Sequence, residues 1–184
     1  MISAVVLVNG HEDQKLLKKC IDSLKWCDEI IKLDTTKIKG SFSDWRNEGL
    51  KRAQCEWILY IDSDEEITSD LRSEIIQSSN KQSLAKSEFD KQVNQYTAYA
   101  LPRRNIIFGQ EFRYSGQYPD YQVRLFKKDK IVKWVGKVHE EPLIEGQLGH
   151  LKNPIIHHKN MTISQMIEKT NKWSEIEARL LLDS

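Results

Sequence analysis

Between Glu56 and Glu66 the sequence reads Glu-Trp-Ile-Leu-Tyr-Ile-Asp-Ser-Asp-Glu-Glu, a short apolar run that ends in four carboxylates within five residues. Trp57 to Ile61 is too short for a buried helix and rich in β-branched and aromatic residues, so it reads as a buried strand. Asp62 and Asp64 stand where that strand breaks into a loop. Open α/β sheets bind ligands beyond the carboxyl ends of their strands. Magnesium takes one or two carboxylates together with substrate phosphates. A strand ending Asp-x-Asp therefore suits a metal–diphosphate site. The same residues also fit a plainer role, with Ser63 or Asp64 capping a following helix and Glu65 and Glu66 at its positive end.

The preceding chain has the same grammar. Ile2 to Val8 is a β-branched run ended by Asn9-Gly10, a first strand and turn. From Asp13, the residues Leu16, Leu17, Cys20, Ile21 and Leu24 fall on one helical face. Ile30 to Asp34 is a second strand ending in an acid. A helix begins at Ser43 or Asp44, with Trp45, Leu50 and Ala53 inward, and delivers the chain to Trp57. Strand and helix alternate with short connections, which gives a parallel α/β sheet. Asp34 and Asp62/Asp64 would end neighbouring strands. A carboxylate there accepts from ribose hydroxyls, or Asp34 simply forms a turn.

A capped helix follows Thr68, and the polar stretch 77–95 reads as its tail plus an exposed connection. Short β pieces then include Tyr96–Leu101, Tyr121–Phe126 and Ile131–Trp134, so the second half is β-rich and irregular. Met166, Ile167, Thr170, Trp173, Ile176 and Leu180 trace one face of a closing helix, docked on the domain or, alternatively, on a membrane. One domain fits 184 residues. With 28 basic and 27 acidic residues the charge balance gives no case for nucleic acid. The three cysteines lack a Cys-x-x-Cys and read as reduced thiols. No run is long enough to span a bilayer, and the chain reads as cytoplasmic.

These residues in this order resemble glycosyltransferase family 2. Trp26-Cys27-Asp28-Glu29-Ile30-Ile31, Arg46-Asn47 and Asp62-Ser63-Asp64-Glu65 carry the likeness in the first half. Arg103-Arg104-Asn105, Gly116-Gln117-Tyr118-Pro119-Asp120, Arg124-Leu125-Phe126 and Val138-His139-Glu140 carry it in the second. Together with Lys169, Trp173 and Glu177-Ala178 they are similar to the lipopolysaccharide-core β-1,4-glucosyltransferase-like branch, over nearly the whole chain.

The resemblance implies a GT-A fold: a Rossmann-like, mostly parallel central sheet flanked by helices, a β-rich second half and a C-terminal helix. Residues 1–66 would form the nucleotide-binding half, 96–160 the acceptor and catalytic half, and 162–182 the closing helix. It implies transfer of a sugar, with inversion, from a nucleotide diphosphate donor such as a UDP-hexose. The acceptor would be a saccharide, a lipid-linked saccharide or a peptide. Asp34 would sit near the ribose, Arg46 near the donor, Asp62 on the nucleotide sugar, and Asp64 on a Mn2+ or Mg2+ ion. Such an ion stabilises charge on the departing diphosphate. A carboxylate must then take the acceptor's proton. Asp120 in the Tyr-Pro-Asp turn comes first and Glu140 second. His157 or His158 completes the metal site or is an ordinary packed side chain, and strand alternation lets only one point inward. His139 is a ligand or orients Glu140. Arg124 pairs with a carboxylate such as Asp120 or contacts the diphosphate.

Departures from the family pattern are Thr35-Thr36-Lys37-Ile38-Lys39-Gly40 in place of a Ser/Gly/Thr-rich loop with a second aspartate, and Asn9-Gly10-His11-Glu12-Asp13 in place of the usual Lys-Asn-Glu. Relatives continue beyond the Trp173 helix with acceptor-side or membrane-associating segments, so the chain reads as a fragment or a minimal enzyme. Contact with the inner face of a membrane fits either. Three rivals use some of the same features. Haloacid-dehalogenase-like phosphatases carry Asp-x-Asp on the first strand, not the third. Nucleotidyltransferases need a Gly-rich first loop. A non-catalytic GT-A-like domain would bind a nucleotide sugar or a partner without turnover.

Overall fold

A computed structural model describes residues 1–83, 96–114, 116–136, 140–160 and 162–182. The chain opens with β1 (Ile2–Val8), α1 (Gln14–Ser23), β2 (Glu29–Asp34), a 3-10 turn (Thr35–Lys37), α2 (Phe42–Arg52) and β3 (Trp57–Asp62). β2 and β3 lie parallel on either side of β1, as helical crossovers require. Both faces of β3 are covered. Trp57, Leu59 and Ile61 pack with Val6, Cys20 and Leu24, while Ile58 and Tyr60 pack with Val5, Ala53 and Trp134. That is why the run is continuously apolar and does not alternate. Each large apolar side chain buried this way contributes about 1.5–3 kcal/mol.

α2 differs from expectation at its start and in part of its buried face. Ser41 is the N-cap, and the Asp44 carboxylate accepts from the Ser41 backbone N–H at 2.7 Å, moving the helix start ahead of Ser43. Ala53 is buried and Leu50 packs against the core, as expected, but Trp45 is only half-buried, and Ser43, Arg46 and Gly49 are buried within the helix. Close packing explains the difference: a Cβ on Gly49 would lie 2.6 Å from Val5 Cγ1. The helix backbone therefore rests directly on β1, and Arg46, one turn earlier, is carried into the interior.

β3 ends in a corner at Ser63-Asp64 and continues as the short strand β4 (Glu65–Ile67). Neither Ser63 nor Asp64 caps a helix. The next helix, α3 (Ser69–Ser83), starts after Thr68, whose hydroxyl accepts from Leu71 N–H at 3.2 Å. The polar connection expected after it (84–95) lies outside the described residues. Then come β5 (Tyr96–Ile107), β6 (Gln110–Glu111), β7 (Asp120–Lys127), β8 (Ile131–Val135), β9 (Glu141–Ile144), β10 (Gln147–His150), β11 (Ile155–Asn160) and the helix α4 (Ile163–Leu182). The nine-stranded sheet has the order β2-β1-β3-β7-β5-β11-β4, with β6 and β10 also on β5. β4, β6 and β7 run against the other strands, so the sheet is mostly parallel. β8 and β9 form a separate hairpin.

α4 turns the other way from expectation over its first turns. Ile163, Met166 and Ile167 are exposed, and Gln165, Glu168 and Lys169 instead line a cleft beside Asp64. The rest of that cleft is lined mostly by polar and charged residues, among them His11, Glu12, Asp13 and His158. The side chains of Trp173 and Leu180 lie outside the described residues. Among the described residues, no helix is long and apolar enough to cross a membrane.

Candidate active site

The corner after β3 is built by backbone and side chain together. Glu65, 1% exposed, turns back to accept from the Asp62 backbone N–H at 3.0 Å. β11 pairs antiparallel with β4, setting His157 opposite Glu65. The His158 backbone N–H donates to the Asp64 carbonyl at 3.0 Å. The buried Cys20 thiol reaches the Asp62 carbonyl at 3.4 Å. Burial, then the charges of Glu65 and Asp62, push that thiol's pKa well up, which removes it as a nucleophile.

Asp62 is clamped by two arginines. Arg46 Nη2 lies 3.1 Å from Asp62 Oδ1, and Arg124 Nη2 donates to Asp62 Oδ2. Arg124 Nη2 also reaches Glu65 Oε1 at 3.0 Å. Arg46 Nε bonds Glu140 Oε1 at 3.0 Å, and its guanidinium lies over the rings of Trp134 (4.9 Å) and Tyr60 (5.7 Å), a favourable cation–π placement. Trp134 is brought there by Asn47, which exchanges hydrogen bonds of 2.8 and 2.9 Å with the Trp134 backbone. Burial alone would raise the Asp62 pKa. Arg124 and Arg46 outweigh it and hold the carboxyl far below its ordinary value.

Arg124 pairs with Asp62 and Glu65, and not with Asp120, because of strand register. Arg103 on β5 is directly opposite Asp120 on β7, and its Nε and Nη2 donate to Asp120 Oδ2 at 3.0 and 2.6 Å. Arg124 lies four residues further along β7, where that strand runs beside β3. Gln122 donates to the other Asp120 oxygen at 2.9 Å. Burial works to raise the Asp120 pKa, but Arg103, Gln122 and Asn105 together hold it below its ordinary value.

Asp64 is placed differently. Its Oδ2 faces His157 Nε2 at 3.7 Å, and the other ring nitrogen, Nδ1, lies 2.7 Å from Asn105 Oδ1. Asn105 Nδ2 donates to the Gln117 carbonyl at 3.0 Å and approaches Asp120 Oδ2 at 3.4 Å. Asp64, His157, Asn105 and Asp120 are thus linked in a row. Both histidines lie inside β11, not beyond its end, and alternation separates them: His157 is buried and His158 lines the cleft beside α4.

Two clefts flank the corner, and Ser63 borders both. The one of about 430 Å³ includes Asp64, His11 and Lys169. The other, about 460 Å³, includes Asp62, Thr35, Thr36, Phe42 and Trp45. Asp34 stands apart from the arginine–carboxylate cluster. Its side chain caps the 3-10 turn through Thr36 N–H at 3.1 Å and pairs with Lys37 at 2.9 Å.

The structure brings together Asp62, Asp64, Arg46, Arg124, Asp120, Glu140 and His157. Val138 and His139 lie outside the described residues. Glu65 reads from sequence as a helix-end charge, and nothing local marks it as the corner's pin. Arg103 and Asn105, two apart on one strand, share a face, a signal legible only once their neighbour strands are known.

No family model matches the sequence. The chain is 24% identical, over 208 aligned residues, to the lipopolysaccharide core biosynthesis glycosyltransferase LpsC of Rhizobium meliloti (strain 1021), covering 100% of this chain and 72% of that protein. In structure it is similar to S. aureus TarS 1-349 in complex with UDP-GlcNAc, with a TM-score of 0.54 at 12% identity, covering 86% of this chain and 58% of TarS 1-349. A second TarS 1-349 structure gives a TM-score of 0.51 at 10% identity, covering 85% and 60%. The chain thus spans less than two thirds of TarS 1-349. The fold is of GT-A type.

Proposed function

We propose that this chain acts as a metal-dependent, inverting glycosyltransferase that moves a sugar from a UDP-hexose to a hydroxyl acceptor in the building of cell-surface polysaccharide or lipopolysaccharide. The observation that carries this reading is the division of labour at the β3–β4 corner. Asp62 is spent on two arginines, while Asp64 borders an open cleft and faces an imidazole nitrogen at 3.7 Å. The LpsC likeness and the UDP-GlcNAc held by TarS support the same class of donor and product.

The donor set fits a divalent cation. Two ligand atoms each about 2.1 Å from one ion lie roughly 3–4.2 Å apart, a range that includes the 3.7 Å between Asp64 Oδ2 and His157 Nε2. Among the described residues, no group of three or more His, Cys, Asp or Glu gathers to hold an ion. Mg2+ or Mn2+ would therefore take its other ligands from water and donor phosphates. Held by Asp64 and His157, it would supply Lewis-acid stabilisation of the departing diphosphate.

The nucleoside occupies the cleft with Phe42 and Trp45, where Thr35 and Thr36 offer hydrogen-bonding groups and Asp34 holds their turn. Arg46 and Arg124 fix Asp62, and Glu140 in turn holds Arg46. Asp120 is the base: ionised, pinned on one oxygen by Arg103 and partly exposed to solvent. As the acceptor oxygen bonds the anomeric carbon and the sugar–phosphate bond breaks, the acceptor's proton passes to Asp120. The acceptor is a saccharide, lipid-linked or free, or a peptide, and the site works at the inner face of the cell membrane. Nucleotide release from a panel of nucleotide sugars with Mn2+ tests this reading. UDP release by the wild type is expected, reduced in D120N. Tight donor binding with no release from any donor would instead make the chain a binding domain.

A further inference from the structure

The amide of Asn105 is placed to do two things at once. It is 1% exposed, and its orientation follows from its partners. The atom 3.0 Å from the Gln117 carbonyl must be the donating Nδ2, since a carbonyl only accepts. Oδ1 is therefore the atom 2.7 Å from His157 Nδ1, and as an acceptor it requires a proton on that nitrogen. A neutral His157 then carries its lone pair on Nε2, the atom that faces Asp64 Oδ2 at 3.7 Å. The second Nδ2 hydrogen turns to Asp120 Oδ2 at 3.4 Å. The backbone makes this arrangement a fixed one. Parallel pairing of β11 with β5 sets His157 level with Asn105, and the Asn105 carbonyl accepts from Phe112 N–H at 3.0 Å.

We infer that Asn105 is a positioning residue that couples the metal side of the site to the base side, by locking His157 in its Nδ1–H tautomer and steadying Asp120. The inference rests on the reading of Asp64 and His157 as metal ligands. Outer partners of this kind typically change metal affinity about 10–100-fold when removed. The two roles separate chemically. N105D still accepts from His157 Nδ1–H, but it cannot donate to Gln117 or Asp120, and it sets a second carboxylate beside the base. N105A loses both.

The test is ring-nitrogen NMR of the metal-free protein at pH about 8.5, where imidazole is neutral, followed by Mn2+ titration calorimetry on the same samples. Wild-type His157 is expected protonated on Nδ1, with the tautomer mixed in N105A and preserved in N105D. Mn2+ affinity should fall about 10–100-fold in N105A and stay within about threefold of wild type in N105D, while N105D still loses donor turnover. A wild-type His157 protonated on Nε2 would overturn the proposal without any variant having to fold. So would N105A that keeps wild-type Mn2+ affinity while H157A loses it. If D64A and H157A both bind Mn2+ as wild type does, the metal assignment itself fails, and the NMR result still decides the tautomer.

Discussion

Replacing Arg124 by methionine isolates the clamp that holds the β3–β4 corner. Arg124 is 4% exposed and serves both Asp62 and, at 3.0 Å, Glu65. Methionine keeps the apolar stem and deletes the charge. Glu65, whose side chain has no exposure, is then left with Arg103 Nη1 at 3.6 Å and the Asp62 N–H at 3.0 Å. Asp62 keeps Arg46 at 3.1 Å. Removing one member of a buried ion pair costs about 3–5 kcal/mol. The lower end is expected, because each acid retains a second arginine. About 3 kcal/mol corresponds to a fall in Tm of roughly 6–12 °C for a chain of this size. Urea unfolding at pH 7, followed by tryptophan fluorescence, reads it as a lower midpoint with an unchanged slope. Adding E65Q removes a stranded charge and should return at least about 1 kcal/mol. The pH dependence has a definite sign. The Asp62 pKa is depressed in the fold, so its contribution is fully present above about pH 4 and is lost as pH falls through the folded value. The gap between wild type and R124M therefore narrows on acidification. A loss under about 0.5 kcal/mol at pH 7, or a gap that widens below pH 4, would refute the clamp.

D120N should lower kcat about 10²–10⁴-fold while leaving UDP affinity within about twofold, measured by turnover and calorimetry; a comparable loss in Kd would move Asp120 to the donor site. Because Arg103 helps to hold the Asp120 pKa down, R103Q should raise it and bring an acid limb into the kcat/KM profile at higher pH than in the wild type. G49A sets a Cβ 2.6 Å from Val5 Cγ1, an overpacking that should cost about 1–3 kcal/mol in urea unfolding.

The strand ends that carry the candidate acids were legible because the code there is local. An apolar run closed by an acid, as at Trp57 to Asp62, declares both the strand and the edge at which its last side chain emerges. What stayed hidden depends on register and close packing. Arg124 meets Asp62 and not Asp120 only because β7 runs antiparallel between β3 and β5. The burial of Arg46 follows from Gly49 resting on Val5, which counting apolar residues does not reveal. Glu65 and Glu66 are adjacent and chemically alike, yet β4 turns Glu65 inward to Arg124. For α4, the apolar stripe is real in sequence, but over the first turns Gln165, Glu168 and Lys169 line the cleft. Asp34 holds its own turn through Thr36 and Lys37, one of the two readings that the sequence offered for it.

The most direct measurement is calorimetric binding of UDP, with and without Mn2+, to wild type and to D64A. Wild type should bind UDP in a Mn2+-dependent way, and D64A should lose more than about tenfold of that affinity with little change in stability, since Asp64 lies outside the arginine clamp. Equal, equally Mn2+-dependent binding by both proteins would contradict a metal–diphosphate site at Asp64.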